Sequence, residues 1–308
     1  MKHPKSTMIL AIILLLALPS ARILPKPTPP RKEHTMLFFK ASREETTLYL
    51  FGSIGGVFKP DLVYPLPARI HQALASSQLY LYHRISEEDI AHLDQASISQ
   101  QPWDKLLTPE ALRQLTAIVQ AMPLQEEQKA ILLSYHPWLV MQLLYYNTLT
   151  QLGFHAQSEE EYLLNHALEK EIPSKTFQLL PAEIPYLLTT SQRYPNELYQ
   201  WVFMKLRFLQ GGINLAEALQ HAWLKGDIDT VLDQLVISRS PDFAFMQEDE
   251  LLLYEATNQI IWASVDQFLS STEHDQPTLF LALPAEYLLD SGGFASYLEE
   301  MGFQLTQI

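Results

Sequence analysis

Two stretches near opposite ends of the chain echo one another: LYLFGSIGGV at residues 48–57 and LFLALPAEYL at residues 279–288. Each is an apolar run of strand length that breaks into a loop of small or turn-forming residues. A lone strand or hairpin is unstable in water, so these runs need a shared sheet. Between them the hydrophobic period is mostly helical. The expectation is therefore one α/β core sheet built from both ends of the chain, with a large helical insertion in the middle.

The strand candidates at the first end are MLFFKA and TTLYLFGSI, a hairpin turning at SREE, followed by QLYLYHRI at residues 78–85. PTLFLAL and FQLTQI supply the other end, and SKTFQLL is a short strand in between. PLPARIHQALASS reads as a short helix with Pro at its start. The helical segments include TPEALRQLTAIVQAM, with Thr108 as N-cap and Pro109 after it, and HPWLVMQLLYYNTLTQLG. INLAEALQHAWLKGD ends at Gly226, and EDELLLYEATNQIIWASVDQFLSS is a long helix. Three segments follow from this: residues 1–21, 22–35, and a domain over 36–308 whose helical insertion covers about 86–270.

Lys2, His3 and Lys5 precede the apolar run MILAIILLLAL, and small residues follow it. This reads as a secretory signal peptide or a retained signal anchor. RILPKPTPPRK is then a Pro-rich, basic linker. The chain has no Cys, which excludes thiol nucleophiles, Cys-type zinc sites and lipid acylation at Cys. An extracytoplasmic protein, periplasmic or secreted, is the expected setting, touching a membrane only through the N-terminal segment. The net charge of −14 repels nucleic-acid phosphates, so nucleic acid is excluded as a partner.

Several landmarks occur in one order. They are YLFGSI, the helix and strand LPARIHQALASSQLYLY, Pro137-Trp138, and EEYLLNHALEKEIP with Glu160 at an acid position. Trp223, Gly226 and Asp227 form a Trp-x-x-Gly-Asp pattern, and LLDSGGFASYLEEMGFQLTQI closes the chain. Together, over residues 36–308, they resemble the TraB/GumN family, which includes the Tiki-type membrane-associated metalloproteases. The resemblance implies a metal centre on two Gly-x-x-His loops, two Glu residues and an Arg.

Carried over one residue at a time, those positions hold other side chains. The first loop begins at Gly52, and its His position is Gly55. The first Glu falls on Tyr82, the second on Gln178, and the Arg on Thr257, beside Asn258. The second loop's His is Glu286. Gly cannot ligate, and Tyr and Gln are poor ligands for a hydrolytic Zn or Mn ion. No metal and no cofactor are expected, and the degenerate positions Gly55, Tyr82, Gln178, Thr257 and Glu286 offer no catalytic set.

The implied reading is a catalytically inactive member, a pseudoenzyme. It would bind a peptide or protein of the cell envelope near Gly52, Gly55, His83 and Glu286. One alternative is a divergent metal-dependent peptidase with a site relocated near His83, Glu286 and Glu160. Alternation along the strand puts His83 on the face opposite Tyr82, against that pairing. The other alternative is a structural envelope protein without a ligand pocket. The triplet Glu159-Glu160-Glu161 reads as a solvated first helical turn, because consecutive helical residues diverge. His71, His92, His166 and His221 lack ligand spacing and are expected to face solvent or be half-buried.

Overall fold

A computed structural model describes residues 34–55, 57–84, 87–156, 158–271 and 275–308. The signal or anchor segment and most of the linker lie outside the described residues. Residues 34–84, 154–182 and 216–308 form one compact unit, and residues 87–153 and 183–215 form another. Among the described residues no helix is long and apolar enough to cross a membrane.

The first unit carries the sheet. Its six strands are β1 (Phe38–Arg43), β2 (Thr46–Ser53), β4 (Leu79–His83), β6 (Ser174–Phe177), β7 (Thr278–Pro284) and β8 (Gln304–Gln307). They lie in the order β6-β4-β7-β2-β1-β8. The two ends of the chain do share one sheet: β7 enters between β4 and β2, and β8 pairs with β1. The β1–β2 hairpin is antiparallel and turns at Glu44–Glu45. β2, β7, β4 and β6 run parallel, so their carboxyl ends share one edge. Parallel strands are covered on both faces, which is why β7 is buried at five consecutive positions, Leu279 to Leu283. Two further short strands, β3 (Val57–Phe58) and β5 (His155–Ala156), pair beside the sheet.

Alternation sorts the side chains. Tyr49, Phe51 and Ser53 share a face with Phe280, Tyr80 and Tyr82. Phe38 stacks on Tyr49 and Phe280 there, and Trp223 meets the edge of Phe51. Leu48, Leu50 and Gly52 face the other way. Gly52 lies inside β2 rather than in a turn. A Cβ on it would come within 3.2 Å of Leu37 Cβ and 3.5 Å of Leu288 Cδ2. Close packing, not turn geometry, demands glycine at that position.

The second unit is helical. Thr108 caps the helix Pro109–Ala121 by accepting from Ala111 N–H at 3.3 Å. Helix Pro137–Gln151 starts with Pro and packs against Pro195–Gln210. Trp138 donates its indole N–H to Ser191 Oγ at 3.0 Å. The helix Leu180–Arg193 is not legible in the sequence pattern, because Pro181 and Pro185 interrupt it. Pro181 stands in the first turn, where its missing N–H is not needed, so only Pro185 removes an interior donor.

Candidate functional site

The carboxyl edge of the parallel strands collects the positions singled out above. Gly55 follows β2, Tyr82 is near the end of β4, Gln178 follows β6, and Glu286 lies just beyond β7. Open α/β sheets bind ligands at this edge, because loops from neighbouring strands meet there. Thr257 lies on helix Gln247–Ser271, which touches β6 and the short helix Ala285–Leu289. Glu286 is half-buried in the first turn of Ala285–Leu289 rather than in a loop, and it adds to the negative field around Tyr254. Thr257 is buried and donates its hydroxyl to Tyr254 O at 3.0 Å. Asn258 donates to Gly292 O at 2.7 Å.

Tyr82 stacks on Tyr80 with ring centroids 4.9 Å apart. His83 faces the other side, its Nδ1 3.4 Å from Phe177 O. Gly55 is exposed, with φ of +73° and open space where a Cβ would go.

The Trp-x-x-Gly-Asp pattern has a structural role. Trp223 is fully buried and donates its indole N–H to Gly52 O at 2.7 Å. It also stacks on Phe58, 6.3 Å between centroids. Gly226 ends the helix Leu215–Lys225 at φ +71°, where a Cβ would stand 2.7 Å from Met36 O. Asp227 caps the next helix, accepting from Thr230 N–H at 3.2 Å and Thr230 hydroxyl at 2.8 Å. Of the three, the indole is the one that reaches the end of β2, through Gly52 O.

The acidic triplet differs most from expectation. Ser158 caps the helix Glu159–Glu169 as the sequence suggests, accepting from Glu161 N–H at 3.2 Å. Only Glu161 of the three is exposed; Glu159 is fully buried and Glu160 is 9% exposed. Ser53 donates its hydroxyl to Glu160 Oε1, and Ser158 donates to Glu160 Oε2 at 2.7 Å. Ile54 N–H reaches Glu159 Oε1 at 3.3 Å. Tyr80 donates to the Glu160 carbonyl at 3.0 Å. Burial first, and then the neighbouring Glu160, push the Glu159 carboxyl well above the usual range. The Tyr64 phenol is also raised, by burial first and then by Glu159 and Glu160. The cue was present: Glu159 and Glu160 precede the buried Leu163 and Ala167 at helical spacing, on the same stripe.

The sequence profile of the TraB/PrgY/gumN family matches residues 37–307. The chain belongs to that family. No curated protein and no solved structure matches it. A hydrolytic metal of the kind the resemblance implies needs several N or O ligands around one point. The residues that the resemblance sets at its positions, Gly55, Tyr82, Gln178, Thr257 and Glu286, include one usual ligand, Glu286, so they do not fit that ion. The nearby carboxylates of Glu159 and Glu160 already accept bonds from Ser53, Ile54 and Ser158. Among the described residues no group of three or more His, Asp or Glu is arranged to hold a metal ion.

Placing an imidazole at Gly55 is a direct probe of this fit. Gly55→His forces an L residue into a left-handed conformation, costing about 1–2 kcal/mol. Denaturant titration should show that loss, and Co²⁺ absorption titration should show no bound ion. A tight Co²⁺ spectrum would contradict the assignment.

At the other end of helix Glu159–Glu169, the His71 and His166 rings lie 4.2 Å apart, and Tyr162 hydroxyl is 3.4 Å from His71 Nε2. Burial, then His166, lowers the His71 pKa to about 4. The folded state therefore prefers neutral His71. Its contribution is present above pH of about 6.5 and is lost as pH falls toward about 4. His166→Gln removes the ring that opposes a charge on His71 and is expected to move the acid-unfolding midpoint to lower pH, measured by circular dichroism. An unchanged midpoint would assign acid unfolding to other groups.

Proposed function

We propose that this TraB/PrgY/gumN protein is a pseudoenzyme, a binding or regulatory module of the cell envelope. Its carboxyl edge takes a peptide or protein segment instead of hydrolysing one. What supports this reading is the set of residues that stand together, on one edge, at the metal positions the resemblance implies. Gly55, Tyr82, Gln178 and Glu286 end four adjacent parallel strands, yet they provide a single metal-type ligand, Glu286. An extracytoplasmic location agrees with the absence of Cys and with the apolar N-terminal segment.

The test is hydrolysis of casein and a peptide library, with Zn²⁺, Mn²⁺ or Co²⁺ added. The expected result is no turnover above the metal-only background. Chelator-sensitive turnover that disappears in Glu286→Ala would overturn the reading and favour a relocated catalytic site.

A further inference from the structure

We propose that strand β8 is a self-association edge: two copies of the chain pair β8 antiparallel to β8, and their six-stranded sheets become one. This surface runs along the side of the sheet, not across the carboxyl ends of the parallel strands. It therefore goes beyond the functional reading above and does not rest on it.

The sheet order leaves β8 at one end, with β1 as its one strand partner among the described residues. The pairing with β1 fixes which way each backbone group points. Ile308 N–H donates to Phe38 O at 2.9 Å. Antiparallel bonds alternate along a strand, so Thr306 and Gln304 also bond β1, opposite Lys40 and Ser42. Leu305 and Gln307 then point their N–H and C=O groups away from the sheet. Among the described residues those outward groups have no backbone partner.

β8 also lacks the devices that usually protect an edge. Gln304, Leu305, Thr306 and Gln307 carry no charge and include no Pro, in a chain of net charge −14. Gln304, Thr306 and Gln307 are exposed, and Leu305 is half-buried. The opposite edge is defended: Pro173 precedes β6, Lys175 is exposed within it, and helix Gln247–Ser271 packs beside it.

A second copy fits this edge because the edge complements itself. One antiparallel register uses both outward residues. Centred on Thr306, it sets Leu305 opposite Gln307 of the other copy, and Gln307 opposite the other Leu305. Each of those pairs exchanges two N–H to C=O bonds, and the arrangement closes about a two-fold axis. Thr306 meets its own copy across that axis as a non-hydrogen-bonded pair, a favourable cross-strand contact. An uncharged strand is also where two acidic molecules approach with the least repulsion. So short a strand buries little surface, so the dimer is weak and depends on concentration.

The chain has no Cys, so one introduced thiol reports its own neighbour. The test compares disulfide formation in Thr306→Cys and Gln304→Cys full chains, in mild detergent to occupy the apolar N-terminal segment, read by non-reducing electrophoresis. Across the axis the two residues at 306 stand about 4.5 Å apart, within disulfide reach, whereas the two at 304 are offset by about 13 Å along the strands. Covalent dimer is expected to form about tenfold faster at 306 than at 304. Thr306→Lys sets two like charges face to face and is expected to raise the dimer dissociation constant about tenfold in analytical ultracentrifugation, with the circular dichroism spectrum unchanged. Equal cross-linking at the two positions, none at 306, or a dimer untouched by Thr306→Lys overturns the proposal. Should Thr306→Lys fail to fold, the cross-linking comparison decides by itself. No ligand enters either measurement, so the outcome is independent of the hydrolysis assay.

Discussion

Trp223→Ala is expected to destabilise the sheet unit by about 3–5 kcal/mol, the range for deleting a large buried aromatic side chain. Trp223 has no exposed surface and packs against Phe51 and Phe58. Its loss leaves a cavity under the end of β2 and an unpaired carbonyl at Gly52, now without its 2.7 Å donor. Urea denaturation followed by far-ultraviolet circular dichroism measures the change. Trp223→Phe separates the two parts of the effect. It keeps most of the packing and loses the donor, so its cost is expected to be about 1–3 kcal/mol, that of one buried unmet polar group. If Trp223→Ala costs less than Trp223→Phe, the indole is not the support described above.

Glu159→Gln is expected to act in the opposite direction and to do so in a pH-dependent way. The native-state carboxyl is raised above its unfolded value, by burial first and Glu160 second. The folded state therefore binds the proton more tightly than the unfolded chain. That stabilising contribution is complete below the ordinary glutamate value near 4.3, and it is lost as pH rises through the native value. Glutamine cannot ionise and stays compatible with the Ile54 N–H. The variant's advantage should open as pH rises above about 4.3 and grow to about 1–3 kcal/mol once pH has passed the native value, the cost of an uncompensated buried polar group. Thermal unfolding across a pH series reads this directly. Parallel curves for both proteins would mean that Glu159 is not the titrating group.

The sheet was legible because its strands are apolar over nearly their whole length. Residues 279–283 read as a strand from either periodicity or composition, and burial on both faces explains the unbroken run. The Trp223, Gly226 and Asp227 pattern was also visible, although only the geometry gives its reason: a carbonyl to satisfy, a left-handed helix end and a cap. The resemblance sets Gly52 at the start of a loop; in the fold it lies inside β2, and its lack of a Cβ lets Leu37 and Leu288 approach. The carboxyl pair escaped notice for a different reason. Acidic residues after a Ser cap normally complement the helix dipole in solvent, and Glu161 does so. Whether Glu159 and Glu160 do depends on what packs over that turn. The covering residue, Ser53, lies more than a hundred positions away in sequence. Helix Leu180–Arg193 was hidden by the opposite problem, with Pro181 and Pro185 masking a segment that tolerates them.

The proposed TraB/PrgY/gumN pseudoenzyme holds no hydrolytic metal. The most direct measurement is elemental analysis of the purified chain after equilibration with Zn²⁺, Mn²⁺ and Co²⁺ and exhaustive dialysis. The account predicts only trace, clearly substoichiometric metal, unchanged in Glu286→Ala. One equivalent retained per chain, and lost in Glu286→Ala, would contradict it.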